Sequence, residues 1–128
     1  MASGYQALYR DLQDIWDDLI IVSMTEFGRT SKENDSRGTD HAEATSMFVA
    51  GGGIKGGVYN CDASTWTDSP IFQVNDRYLS RRTDFRCVFG DIFTGHFGVD
   101  EDNLDEIIPA YSIAKIDAPT EFTSLGFI

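Results

Sequence analysis

Tyr5, Leu8, Leu12, Ile15, Trp16 and Leu19 recur at helical spacing, with Arg10, Asp11, Asp14, Asp17 and Asp18 between them. One stripe faces a core and the other faces water, which predicts an amphipathic helix over residues 3–18. Ser3, with Gln6 three positions on, has the form of a capping box at its start. Directly afterwards the pattern changes. Leu19 to Met24 is a short run rich in β-branched residues without alternation, the mark of a strand covered on both faces, as in a parallel sheet. A helix feeding a buried strand is the grammar of α/β folds.

Residues 26–45 are polar, carry Gly28 and Gly38 and show no apolar period, so they read as a long loop of the kind that often carries function. Ser46 to Ala50 reads as a second buried strand, ended by Gly51-Gly52-Gly53, and the connection is long enough for a parallel crossover. Ile54 to Asn60 suits a short extended segment, and turn formers assign 61–80 to a surface loop. Phe85, Val88, Phe89, Ile92, Phe93, His96 and Phe97 form a second helical stripe, begun near Thr83 and stopped at Gly98. From Asp100 to Ile128 the chain reads as an irregular acidic tail that packs Ile107, Ile108, Tyr111, Phe122, Leu125 and Phe127 back on the body.

The expected class is therefore α/β, with helices packed on a few mostly parallel strands. Two helices with two or three strands are fewer than the roughly four to six strands of an ordinary open sheet. The chain thus reads as a single domain, 1–128, that is part of a larger α/β body. Its 128 residues are enough for one core. Ten basic against 21 acidic residues give a net charge of −11, which opposes nucleic-acid binding. Arg77, Arg81, Arg82 and Arg86 lie close together within that acidic field and read as solvated loop and helix-edge arginines in preference to an anion site. No apolar run approaches the roughly 18 residues of a membrane span, and the first residues lack the pattern of a signal peptide. Cys61 and Cys87 fit neither a redox pair nor a zinc ribbon and are expected as free thiols.

Candidate chemistry centres on the loop. Glu26 follows the first strand directly, where α/β folds place their ligands, and Asp40-His41 precedes the second strand. A carboxylate from one strand end and an imidazole from the approach to the next suit a divalent ion such as Zn²⁺ or Mn²⁺. An Asp-His pair serves equally in an ion pair or a loop hydrogen bond. His96, on an apolar stripe, reads as a core or edge histidine. Gly51 to Gly56 matches GxGxxG formally, but Gly57-Val58-Tyr59-Asn60 cannot open the helix that a dinucleotide site requires. Lys55 is followed by glycine, so a phosphate-binding P-loop fails too. The acids at 100–105 lack EF-hand spacing, and Asn34-Asp35-Ser36 fits the glycosylation sequon.

Ser23-Met24-Thr25-Glu26-Phe27-Gly28-Arg29-Thr30, Asn34, Gly38-Thr39-Asp40-His41 and Phe48-Val49-Ala50-Gly51-Gly52-Gly53-Ile54-Lys55-Gly56-Gly57 follow one another in an order that resembles the domain of unknown function family 1501, of the alkaline phosphatase-like (sulfatase-like) hydrolase superfamily. The resemblance extends to Thr83-Asp84-Phe85-Arg86 and the helix ending at His96-Phe97-Gly98. It covers the C-terminal part of that family's domain. The resemblance implies metal ligation by Glu26, Asp40 and His41, a contact from Arg29 to a substrate anion, and a nucleophile supplied by a segment absent from this sequence. It implies metal-assisted hydrolysis of a small phosphate or sulfate ester, in a bacterial parent protein commonly exported to the periplasm or beyond. The missing N-terminal segment, or another chain, would then cover the sheet edge.

Two readings follow. In the first the chain supplies half the metal site of an ester hydrolase and is inactive alone; in the second it is a non-catalytic binding or structural module. The first requires Glu26, Asp40 and His41 to converge.

Overall fold

A computed structural model describes residues 2–61 and 77–128. Helix α1 spans Ala2–Asp11 and a separate 3-10 turn spans Gln13–Asp18, so the stripe expected as one helix is divided, with Ser3 inside α1 and not capping it. Leu12 leaves helical geometry at φ −115° and ψ 21°. A continued helix would gather Asp14, Asp17 and Asp18 at its carboxyl end, where the helix dipole disfavours negative charge.

Four short strands follow: β1 (Ile20–Ser23), β2 (Gly28–Arg29), β3 (His41–Ala42) and β4 (Phe48–Gly51). They form two antiparallel pairs, β1 with β4 and β2 with β3. The mostly parallel arrangement expected from the sequence is therefore corrected. A parallel pair needs a crossover that returns the chain to its starting end, usually a helix. Here the connecting residues fold on themselves as the β2–β3 hairpin, and β4 comes back beside β1 in the opposite direction.

Both strands of the larger pair are at most half-buried, not enclosed on two faces. Ile20, Val22 and Val49 pack on Val88, Ile92 and Phe127, while on the other face the Tyr5 hydroxyl of α1 donates to Ser23 Oγ at 2.6 Å. Gly52, the first glycine after β4, has a packing cause. A Cβ on Gly52 would lie 2.2 Å from Asp17 Cα, because the Gly52 N–H donates to the Trp16 carbonyl at 2.8 Å. Glycine is required where the 3-10 turn crosses the strand end.

Helix α2 (Phe85–Gly95) starts where expected. Asp84 caps it, its side chain accepting from the Arg86 N–H at 2.9 Å. Beyond the helix Gly98 is left-handed and the Val99 N–H reaches back to the Phe93 carbonyl at 3.0 Å, which turns the chain over the helix end. Val88 and Ile92 face the sheet, while Cys87 faces a second core of Leu104, Ile108, Tyr111, Ala114 and Phe122. The acidic tail is not irregular as expected. It holds 3-10 turns at Glu101–Asn103 and Pro119–Glu121 and two helices, α3 (Leu104–Ile107) and α4 (Tyr111–Asp117). Elements this short carry too few apolar positions for a period to show, and Pro119 stands in the first turn of its 3-10 segment. Ile107 is exposed, whereas Ile108, Tyr111, Phe122 and Phe127 are buried as expected. Of the surface loop expected over 61–80, residues 62–76 lie outside those described. No helix among the described residues is long and apolar enough to cross a membrane.

Gly90 measures how tightly α2 meets α4. A Cβ there would lie 2.8 Å from Tyr111 Cε2 and 2.9 Å from its hydroxyl. Ala is the better helix former by roughly 1 kcal/mol, but forcing a buried ring aside costs about 1–3 kcal/mol. Gly90→Ala is expected to lower the thermal midpoint in calorimetry, and Gly90→Ala with Tyr111→Phe, which removes the nearby hydroxyl, to recover part of the loss.

Candidate functional site

The Glu26–His41 loop is built as a hairpin. A Cβ on Gly28 would lie 1.7 Å from the Ala44 carbonyl oxygen, so only glycine lets β2 pass that backbone. The ladder pairs Gly28 with Ala42 and Arg29 with His41. It continues where the Thr30 N–H donates to the Asp40 carbonyl at 3.0 Å and the Asp40 N–H donates to Thr30 Oγ1 at 3.1 Å. Asn34 organises the tip. Its Oδ1 accepts from the N–H groups of Ser36 and Gly38, both at 3.0 Å, and its own N–H donates to the Gly38 carbonyl at 2.8 Å. Its Nδ2 donates to Asp40 Oδ1 at 2.8 Å. The nitrogen a glycan would need is already engaged.

Successive residues of an extended segment point to opposite faces, and this separates the expected ligands. On one face the His41 ring stacks on Phe27 with centroids 4.0 Å apart and planes 21° from parallel, and the Arg29 guanidinium lies 5.7 Å from the same ring. Arg29 Nη1 also donates to the Thr39 carbonyl at 2.6 Å. The Asp40 carboxylate has different partners, Asn34 and the Arg77 guanidinium. Exposed Glu26 accepts from Thr25 Oγ1 at 3.4 Å. Among the described residues no group of three or more His, Cys, Asp or Glu side chains is placed to hold a metal ion. The arrangement brings Arg29 and His41 together but does not fit Glu26, Asp40 and His41 to a shared divalent ion. Of the alternatives for the Asp-His pair, Asp40 shows both the ion pair and the loop hydrogen bond.

The hydrogen bond from the Asn34 amide holds Asp40 below the ordinary carboxylate value; desolvation opposes it, and the Arg77 guanidinium and the Arg29 charge add to the lowering. Sequence reading overlooked the Asp40–Arg77 pair because the partners are 37 positions apart. Asn34, quoted as one letter of a motif, gave no sign of its role beyond a loop position that tolerates a turn.

The family model described as "Protein of unknown function (DUF1501)" matches residues 1–76, which contain α1, both sheets and the whole hairpin. The chain belongs to the DUF1501 family. No curated protein and no solved structure matches it.

Beyond the matched residues, Arg77, Arg81 and Arg86 of this DUF1501 chain have carboxylate partners within the chain, whereas the Arg82 Nε is buried without a hydrogen-bond partner among the described residues. Arg86 Nη2 holds Asp84 at 2.8 Å, and Arg81 Nε lies 3.6 Å from Glu121 and 3.8 Å from Glu43. His96 is an edge histidine, its Nε2 3.3 Å from the Asp18 carbonyl oxygen. A cleft of about 420 Å³ opens between α2 and α4, and Cys87, Asp91, Glu101, Tyr111 and Lys115 line it. Its charges are engaged as well. Asp91 Oδ2 accepts from Ser124 Oγ at 3.2 Å and the Leu125 N–H at 3.0 Å, and Lys115 donates to Glu101. Cys61 and Cys87 are free thiols. Burial, with Asp91 and Asp84 nearby, pushes the Cys87 thiol up to about 11, so it is neither a nucleophile nor a ready metal ligand at neutral pH.

Asn34→Ala removes the side-chain hydrogen bonds that close the hairpin tip, and is expected to cost about 1–3 kcal/mol locally, read as faster amide exchange at Ser36 and Gly38. Asp40 contributes stability above its unfolded value near 3.8 and loses it as pH falls through the depressed folded value. Amide exchange at Thr30, corrected for intrinsic pH effects, is therefore expected to rise relative to the rest of the chain below pH 3.8 in the parent, and not in Asp40→Asn.

Proposed function

We propose that the chain is a non-catalytic structural and interaction module, in which the hairpin serves as a clamp and not as a reaction centre. One observation carries this reading: the Asp40 carboxylate is engaged by Asn34 and Arg77 while the adjacent His41 ring has Phe27 as its partner. A divalent ion would have to displace a guanidinium and an amide from Asp40, and no third ligand stands with them among the described residues. Charge neutralised within the chain stiffens the hairpin and is withdrawn from chemistry with outside groups.

A second reading is favoured by the Arg29–His41 pairing across the ladder. Both residues are exposed, so together they offer a guanidinium and an imidazole to an anion. In this reading the chain is the C-terminal part of a phosphate- or sulfate-ester hydrolase of alkaline phosphatase-like ancestry, exported with its parent, and a segment outside this sequence brings the nucleophile and the remaining ligands. Such a site requires the hairpin to rearrange, because its present geometry does not fit the metal.

Calorimetric titration with Zn²⁺ and with Mn²⁺ at a pH near 7.5 separates the two, since an imidazole is then mostly neutral and able to ligate. No saturable uptake is expected either by the folded chain or by His41→Ala. Stoichiometric uptake that His41→Ala abolishes would overturn the module reading in favour of the half-site.

A further inference from the structure

Helix α4 is apolar on two sides. Tyr111 and Ala114 are buried against the second core, whereas Ile113 and Ile116, on the opposite side and three positions apart, are 63% and 77% exposed. A helix that is apolar all round is normally covered all round. No described residue of this chain buries the outer pair.

Charge indicates what would. Asp105 stands at the amino end of α4, accepting the Ser112 N–H at 3.0 Å, and Asp117 follows Ile116 at the other end. The region from 100 to 128 has one basic residue, Lys115, and Glu101 is its partner. The aliphatic pair is thus bracketed by carboxylates, and the one cation of this region is already paired. An anionic lipid surface would be repelled. A second copy meeting this one across a two-fold axis would set acidic rim against acidic rim, on a chain already carrying −11.

We propose that the outer face of α4 is a docking surface for a basic amphipathic segment of another protein, which places two apolar side chains on Ile113 and Ile116 and its Lys or Arg residues opposite Asp105 and Asp117. This names a partner for the interaction-module reading and rests on it only in that sense. The surface lies outside the hairpin, so its failure leaves the clamp account intact, and metal uptake at the hairpin would leave this surface intact.

The test uses the full 128-residue chain and a fluorescein-labelled helical peptide of Leu and Lys, with Leu on one face, beside a counterpart carrying Glu for every Lys. Anisotropy at about 0.15 M salt, where distant charges are screened, is expected to show saturation at one Lys peptide per chain and none for the Glu peptide. Ile113→Ser with Ile116→Ser is expected to weaken binding by about tenfold or more. Val58→Ser, at another exposed aliphatic residue, is expected to leave it unchanged. Should the double variant fail to fold, Asp117→Lys takes its place, with weaker binding of the Lys peptide expected. Equal binding to the parent and the Ile variant, no binding at all, or equal binding of the Glu peptide would each overturn the proposal. So would self-association of the parent that the Ile variant abolishes, which would make a second copy the occupant.

Discussion

Two small cores share one wall. Helix α2 presents Val88 and Ile92 to the β1–β4 pair and Cys87 to the layer formed by α3 and α4, so neither core closes without it. The constraint is severe because neither neighbour is self-sufficient. A two-stranded sheet is marginal alone, and helices of four and seven residues are too short to persist without packing. Gly90 lets the Tyr111 ring lie against the α2 backbone, and Asp91 ties down the tail at Ser124 and Leu125. Phe127 then enters the sheet-side core, with its carbonyl accepting the Lys55 N–H at 2.7 Å. The chain end thereby joins both halves.

Much of this was legible in the sequence because it depended on near neighbours. The α2 stripe, its start near Thr83 and its stop at Gly98 are each written within a few residues. The direction of β4 was not, because it depends on what the connection does, and a polar loop with no apolar period gives no sign that it will pair with itself. The tail helices were hidden by brevity. Leu104 is fully buried, yet one buried leucine in a four-residue helix makes no period.

The hairpin shows why a chain of motif residues can be right about kinship and incomplete about chemistry. The matched residues hold these motif positions, and several of them have a structural task here: Gly28 lets two backbones pass, Thr30 and Asn34 close the turn, and Asp40 anchors the hairpin to Arg77. Adjacency in sequence made Asp40 and His41 look like a pair of ligands. Adjacency along an extended backbone gives the two residues different partners, and electrostatics within the chain engages Asp40 with the nearest cation.

Asp40 and Arg77 act as one unit in the clamp, which a double-mutant cycle can measure. Amide exchange at Thr30, whose N–H meets the Asp40 carbonyl, would be measured in the parent, Asp40→Asn, Arg77→Met and the double variant. The account predicts that each single change accelerates exchange and that the double variant adds little to the larger of them, as for residues sharing one interaction. Strictly additive effects would contradict it, because the two side chains would then stabilise the hairpin independently and the clamp would not exist.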